Sequence, residues 1–172
     1  MMVKICKAGG DSMSDLPKRK EIRIREYDYS APGAYFVTIC TANREKCLWK
    51  TVGAAICRPQ DISLSAIGKV VEQGVLQISE HYKNATVDTF CIMPDHIHLI
   101  LVIKSDEDGR QIAAPTVSNV VGHMKRWVSM QIGRSIWQKS FYEHGIRNQQ
   151  DYDEIWRYIE NNPQKYTQKR TP

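Results

Sequence analysis

Hydrophobic positions along the chain change period several times, and each change marks an element. The run Ala34-Tyr35-Phe36-Val37-Thr38-Ile39-Cys40-Thr41 is dense in β-branched and aromatic residues and follows Pro32-Gly33, which predicts a strand. Between 63 and 81 the period becomes helical. Ile67, Val70, Val71, Gly74, Val75 and Ile78 share one face, and Ser63 is the expected N-cap. Residues 86–93 and 96–103 read as two strands that turn at Pro94-Asp95 and pair antiparallel. A second helix starts at Thr116, buries Val117, Val120, Val121, Met124, Trp127 and Val128, and stops at Gly133. Residues 136–146 hold a fourth strand or extended segment, and 150–162 a third helix ended by Pro163. Residues 43–60 read as a loop with room for a short hairpin, and 105–115 as a polar loop.

The resulting order, β-α-β-β-α-β-α, is that of an α+β, ferredoxin-like split βαβ sheet with one helix added. Two helices cover one sheet face, and the last is left to lie on the other. Residues 1–20 read as a flexible basic tail, with Gly9-Gly10-Asp11-Ser12 and Lys18-Arg19-Lys20, and 21–172 as a single domain.

Composition narrows the class without naming a function. The 172 residues are 42% hydrophobic and 25% charged, which excludes collagen-like and wholly disordered chains. The longest apolar run is far too short to cross a bilayer, so no membrane association is expected. Lys+Arg of 24 against Asp+Glu of 19 gives a net +5, which permits a nucleic-acid partner but does not require one. Five cysteines, none in a CxxC pair, suggest no disulfide framework and point to a reducing, cytoplasmic setting.

The sharpest chemical signal is Asp95-His96-Ile97-His98. In a strand, His96 and His98 point to the same face, where two neutral imidazoles can hold one divalent metal. The same spacing also fits two ordinary surface histidines, and a metal needs a further ligand. A zinc site using Cys91 lacks a second thiolate at ligand spacing. On the last helix, Tyr158 and Asn162 project from one face a turn apart. Asn162 offers a hard oxygen suited to Mg²⁺ or Mn²⁺, with Glu154 as a rival ligand, and Tyr158 would reach whatever the metal polarises. From spacing alone, a packed tyrosine with Asn162 merely ending the helix is the simpler reading.

Four blocks in order resemble the single-tyrosine HUH transposases, specifically the REP-associated tyrosine transposase group. They are Tyr29-Ser30-Ala31-Pro32-Gly33-Ala34-Tyr35-Phe36-Val37-Thr38-Ile39-Cys40-Thr41 with Asn43-Arg44; Met93-Pro94-Asp95-His96-Ile97-His98; 136–148, which carries Trp137-Gln138, Phe141, Glu143-His144 and Ile146-Arg147-Asn148; and Tyr158-Ile159-Glu160-Asn161-Asn162-Pro163. The resemblance spans about 21–166; Asp95 stands where the family more often has Glu or Asn.

That resemblance implies a nucleophile at Tyr158 and metal ligands at His96, His98 and Asn162. It implies cleavage and rejoining of single-stranded or hairpin DNA through a 5′-phosphotyrosine, with Mg²⁺ or Mn²⁺ as cofactor. Arg44, Lys125, Arg126, His144 and Arg147 are candidate DNA contacts, and Trp137, Phe141 and Tyr142 candidate stacking surfaces for bases. Monomer and homodimer both stay open. Two rival classes keep the fold: a domesticated binder of structured DNA or RNA, and a metal-dependent phosphoesterase that uses activated water and does not need Tyr158.

Overall fold

The structure is a computed structural model that describes residues 32–50, 63–105 and 115–168. The expected tail at 1–20 and the loop stretches 51–62 and 106–114 lie outside the described residues. Seven main elements follow one another: β1 (Gly33–Cys40), α1 (Ala66–His81), β2 (Ala85–Ile92), β3 (His96–Ile103), α2 (Val117–Ile132), β4 (Tyr142–Gly145) and α3 (Gln149–Gln168). The strands form one sheet in the order β2-β3-β1-β4, with every neighbouring pair antiparallel. This is the expected split βαβ arrangement with a third helix.

Strand alternation divides the sheet into two faces. Tyr35, Val37 and Ile39 of β1 and Ile97, Leu99, Leu101 and Ile103 of β3 are buried on the first. They meet Val71, Val75 and Ile78 of α1 and Val120, Val121, Met124 and Val128 of α2 in one apolar cluster. Burying each such side chain stabilises the fold by roughly 1.5–3 kcal/mol. The alternate residues, including Phe36, Thr38, His96 and His98, take the second face, where α3 packs on β2 and β3.

Three boundaries differ from expectation, each for a local reason. Helix α1 is capped by Ser65, not Ser63. The Ser65 hydroxyl accepts from Gly68 N at 2.9 Å and donates to Cys47 O at 2.6 Å. Ser63 instead offers its carbonyl to Lys50 N, next to the antiparallel Trp49–Leu64 bridge. The fourth strand is only Tyr142–Gly145 long, preceded by a single bridge between Trp137 and Thr41. Gln138 N still donates to Cys40 O at 2.9 Å, and beyond it Lys125 Nζ engages the carbonyls of Gln138 at 2.7 Å and of Lys139 and Ser140 at 3.5 Å, outside the ladder of β4.

The third difference concerns α3, which does not end at Pro163 but runs through it to Gln168. The proline removes one helical hydrogen bond. Beyond it, Tyr166 packs edge-on against Trp49 at 5.5 Å, which holds the last turns against the body of the domain. The end of α2 follows expectation: Gly133 sits at φ 77°, a left-handed conformation that glycine adopts without steric cost.

Close approach at α1 makes a stability prediction. A Cβ on Gly68 would sit 2.0 Å from the Leu48 carbonyl oxygen, a backbone atom, whereas one on Gly122 of α2 would meet nothing within 4 Å. Gly68→Ala should therefore destabilise the protein by about 1–3 kcal/mol. Gly122→Ala should stabilise it by up to about 1 kcal/mol through helix propensity. Urea titrations followed by circular dichroism read both, and the two midpoints should move in opposite directions.

Candidate active site

The β1–β3 register builds the site. Thr38 pairs with His98 and Cys40 with His96, so these four side chains share the second sheet face. The Nε2 atoms of His96 and His98 stand 3.1 Å apart. Each opposite ring nitrogen has its own partner: His96 Nδ1 meets Asp95 Oδ1 at 2.6 Å, and His98 Nδ1 meets Thr38 Oγ1 at 2.8 Å. A carboxylate only accepts, so His96 presents an N–H to Asp95 at Nδ1 and turns Nε2 toward His98. When the Thr38 hydroxyl accepts as well, His98 does the same, and two lone pairs converge on one point. A cation, or a single shared proton, relieves the repulsion there, and such outer partners are the usual means of aiming histidine ligands.

Helix α3 brings Tyr158 to the same point within a single chain. Its hydroxyl lies 3.4 Å from His98 Nε2, and the side chain is 46% exposed, so it is open to an incoming substrate. Phe36 organises the group. Its ring stacks on His98 at 5.3 Å and 23°, and meets Tyr158 edge-on at 6.1 Å and Tyr142 at 6.5 Å. One turn beyond Tyr158, the Asn162 side-chain amide is buried with its Nδ2 lacking a hydrogen-bond partner. An orphaned buried amide costs about 1–3 kcal/mol. Turning it over places an oxygen in that position, which a cation would satisfy. Among the described residues no third His, Cys, Asp or Glu joins the pair, and the rival ligand Glu154 instead accepts from Gln150 at 3.1 Å. The histidine pair and the unpartnered Asn162 amide are thus the polar groups of the described site that lack a full set of partners.

The positive charges are placed differently from one another. Arg44 stands at the site, with Nε 3.3 Å from Asp95 Oδ2 and Nη1 donating to Cys40 Sγ at 2.8 Å. It and Asn43 both have left-handed backbones, at φ 57° and 52°. A side chain in that conformation is costly, and these contacts hold it there. Lys125 is engaged by the 138–140 carbonyls. Arg126 is exposed on α2, close enough to His123 to help lower its pKa, away from the histidine pair. His144 Nε2 meets Asp151 Oδ2 at 3.3 Å, and the same oxygen accepts from Arg147 N, so both residues help fix the start of α3. Trp137 is buried and Phe141 half-buried, while Tyr142 is 46% exposed.

Sequence reasoning did not single out Thr38 or Phe36. Their role depends on strand register, which no local motif encodes.

Burial, with help from His96 and Arg44, pushes the His98 pKa down to about 3. The native state then binds fewer protons than the unfolded chain between about pH 3 and the ordinary histidine range. Stability contributed by neutral His98 is present above pH 6.5 and is lost as pH falls toward 3. In metal-free protein, thermal melts from pH 7.5 down to 4.5 should show a loss approaching about 1.4 kcal/mol per pH unit. His98→Gln should flatten that slope.

Comparison with known proteins agrees with this architecture. The family described as "Transposase IS200 like" matches residues 34–162. A Haemophilus influenzae protein without a functional name is 32% identical over 164 residues, covering 84% of this chain and 88% of its own. A REP-associated tyrosine transposase of Escherichia coli is 30% identical over 81 residues, covering 46% of this chain and 45% of its own. Among solved structures, a REP-associated tyrosine transposase bound to a REP hairpin superposes with a TM-score of 0.60 at 22% identity, covering 84% of this chain and 73% of that one. Fold, matched span and sequence identity together lead to one conclusion: the chain belongs to the IS200-like transposase family and resembles the REP-associated tyrosine transposases within it.

Proposed function

We propose that this chain is a metal-dependent endonuclease and strand transferase for single-stranded DNA, acting on hairpin-forming repeats through Tyr158. One observation carries the reading: the Tyr158 hydroxyl lies 3.4 Å from His98 Nε2, which in turn lies 3.1 Å from His96 Nε2. A half-exposed tyrosine hydroxyl beside two largely buried imidazoles is an arrangement suited to attack on a phosphate held there.

His96, His98 and Asn162 would hold Mg²⁺ or Mn²⁺. The ion would polarise the scissile phosphate and offset its developing charge. Everything else falls to the chain's own groups. Tyr158 Oη forms a bond to phosphorus as the P–O3′ bond breaks. The phenol gives up a proton and the departing 3′ oxygen takes one up, so the protons balance. The product is a 5′-phosphotyrosine with a free 3′-hydroxyl, and attack by a 3′-hydroxyl reverses the step without an external energy source. Phe36 orients the nucleophile and one imidazole together, and Asp95 and Thr38 hold the two rings in their tautomers. Arg44, tethered to Asp95, places positive charge at the rim for the adjacent backbone phosphates.

Three substitutions test the assignment, using labelled hairpin DNA with Mg²⁺ or Mn²⁺ and a denaturing gel that resolves protein–DNA adducts. Tyr158→Phe should abolish the adduct while DNA and metal affinity stay within about twofold, because only a half-exposed hydroxyl is lost. His96→Ala should weaken metal affinity by about 10–100-fold, with partial rescue by excess Mn²⁺. Phe36→Leu should slow cleavage about tenfold at saturating DNA, as expected when a reacting group loses its alignment. Cleavage by Tyr158→Phe at the parental rate would make water the nucleophile. Tight hairpin binding with no cleavage by the parent protein would favour a DNA-binding role alone.

A further inference from the structure

Beside the histidine pair lies an open cavity of about 590 Å³, within the size range of ligand sites. Thr38, Cys40, Asn43, Gln138, Ser140 and Tyr142 contribute to its lining. Two of them tie it directly to the site. Thr38 touches His98 Nδ1 at 2.8 Å, and Tyr142, its register partner on β4, meets Phe36 edge-on at 6.5 Å. The cavity therefore begins one side chain away from the point where the phosphate would be attacked.

Its walls are fixed in advance. One wall is the 138–140 stretch, whose carbonyls Lys125 engages. Asn43, held left-handed at φ 52° next to Arg44, whose guanidinium is anchored on Asp95, also lines it. The same carboxylate orients His96, so the cavity's edge and a candidate metal ligand share a support. The lining combines an exposed aromatic ring with two side-chain amides, each offering a donor and an acceptor. A bare phosphate would use Lys139, which also lines the cavity, but not the ring, and an aliphatic ligand has no use for the amides. A planar heterocycle with donors and acceptors on its edge uses both.

We propose that this cavity is a subsite for one unpaired nucleobase of the bound strand, immediately next to the scissile phosphate, with Tyr142 as stacking surface and Asn43 and Gln138 reading the base edge. The proposal rests on the DNA-cleaving reading above and adds a source of sequence preference to it. An unpaired base has its edge and both faces available, which a duplex withholds.

The test is an NMR titration of the full chain with each of the four deoxynucleoside 5′-monophosphates, using deoxyribose 5-phosphate as the base-free control. Signals of Tyr142, Gln138 and the Trp137 indole report on the cavity; those of Trp127, which lines a separate groove between α1 and α2, serve as reference. At least one nucleotide should shift the cavity signals with an affinity about tenfold or more above that of the base-free control, as expected from stacking. Tyr142→Ala and Gln138→Ala should each weaken that binding about fivefold or more. Equal binding of deoxyribose 5-phosphate would make the cavity a phosphate site and overturn the proposal. So would unshifted cavity signals with all four nucleotides, or unchanged affinity in both variants. No cleavage is scored in this titration, so failure to form a DNA adduct would sink the catalytic reading and leave the base-binding result standing.

Discussion

The antiparallel pairing of β1 with β3 is the constraint on which the site depends. Eight residue pairs run in register from Gly33 opposite Ile103 to Cys40 opposite His96. What holds that register is the apolar face: Tyr35, Val37 and Ile39 against Ile97, Leu99, Leu101 and Ile103, all buried under α1 and α2. Slipping β3 by one residue would drive both histidines into the core and expose four large aliphatic side chains. The hydrophobic effect on one side of the sheet therefore decides where the imidazoles stand on the other. Thr38 then reaches His98, and Phe36 stacks on it, with no further element needed.

Helix α3 contributes the nucleophile, and its placement is over-determined. Asn148 Oδ1 caps its first turn through Asp151 N at 2.8 Å, and Asp151 in turn engages His144 of β4. Tyr152 donates to Asp88 of β2 at 2.8 Å, Ile159 is fully buried, and Tyr166 reaches Trp49 beyond Pro163. These contacts bracket Tyr158 on both sides along the helix. A half-exposed tyrosine could rotate freely on a loose helix; here only its side-chain torsions remain to be set, and Phe36 limits those.

Charge is used locally before it is offered to a ligand. Lys125 shapes a loop, His144 and the backbone of Arg147 secure a helix start, and Arg44 shares Asp95 with His96. A net charge of +5 is thus a poor guide to where an anionic strand would lie. The site's rim, where Arg44 is about half exposed, is a better one.

The periods of Val70-Val71-Gly74-Val75-Ile78 and Val120-Val121-Met124-Val128, the alternation in 96–103 and the glycine at 133 were enough to place the helices and strands in order, because each records which side of a local element meets apolar neighbours. Spacing drew attention to His96 and His98, while Tyr158 and Asn162 stood out as candidates through the resemblance of the four sequence blocks to a known family. Other features belonged to tertiary structure alone. Ser65 won the cap from Ser63 because Cys47 and Leu48, eighteen and seventeen residues earlier, lie against the start of α1. Ahead of the short fourth strand a lysine from α2 engages carbonyls in 138–140, and beyond Pro163 Trp49 offers Tyr166 of α3 a partner. Thr38 and Phe36 became part of the site only when β1 and β3 found their register. Each of these contacts joins residues far apart in the chain, and no local pattern of polarity or spacing records such a partner.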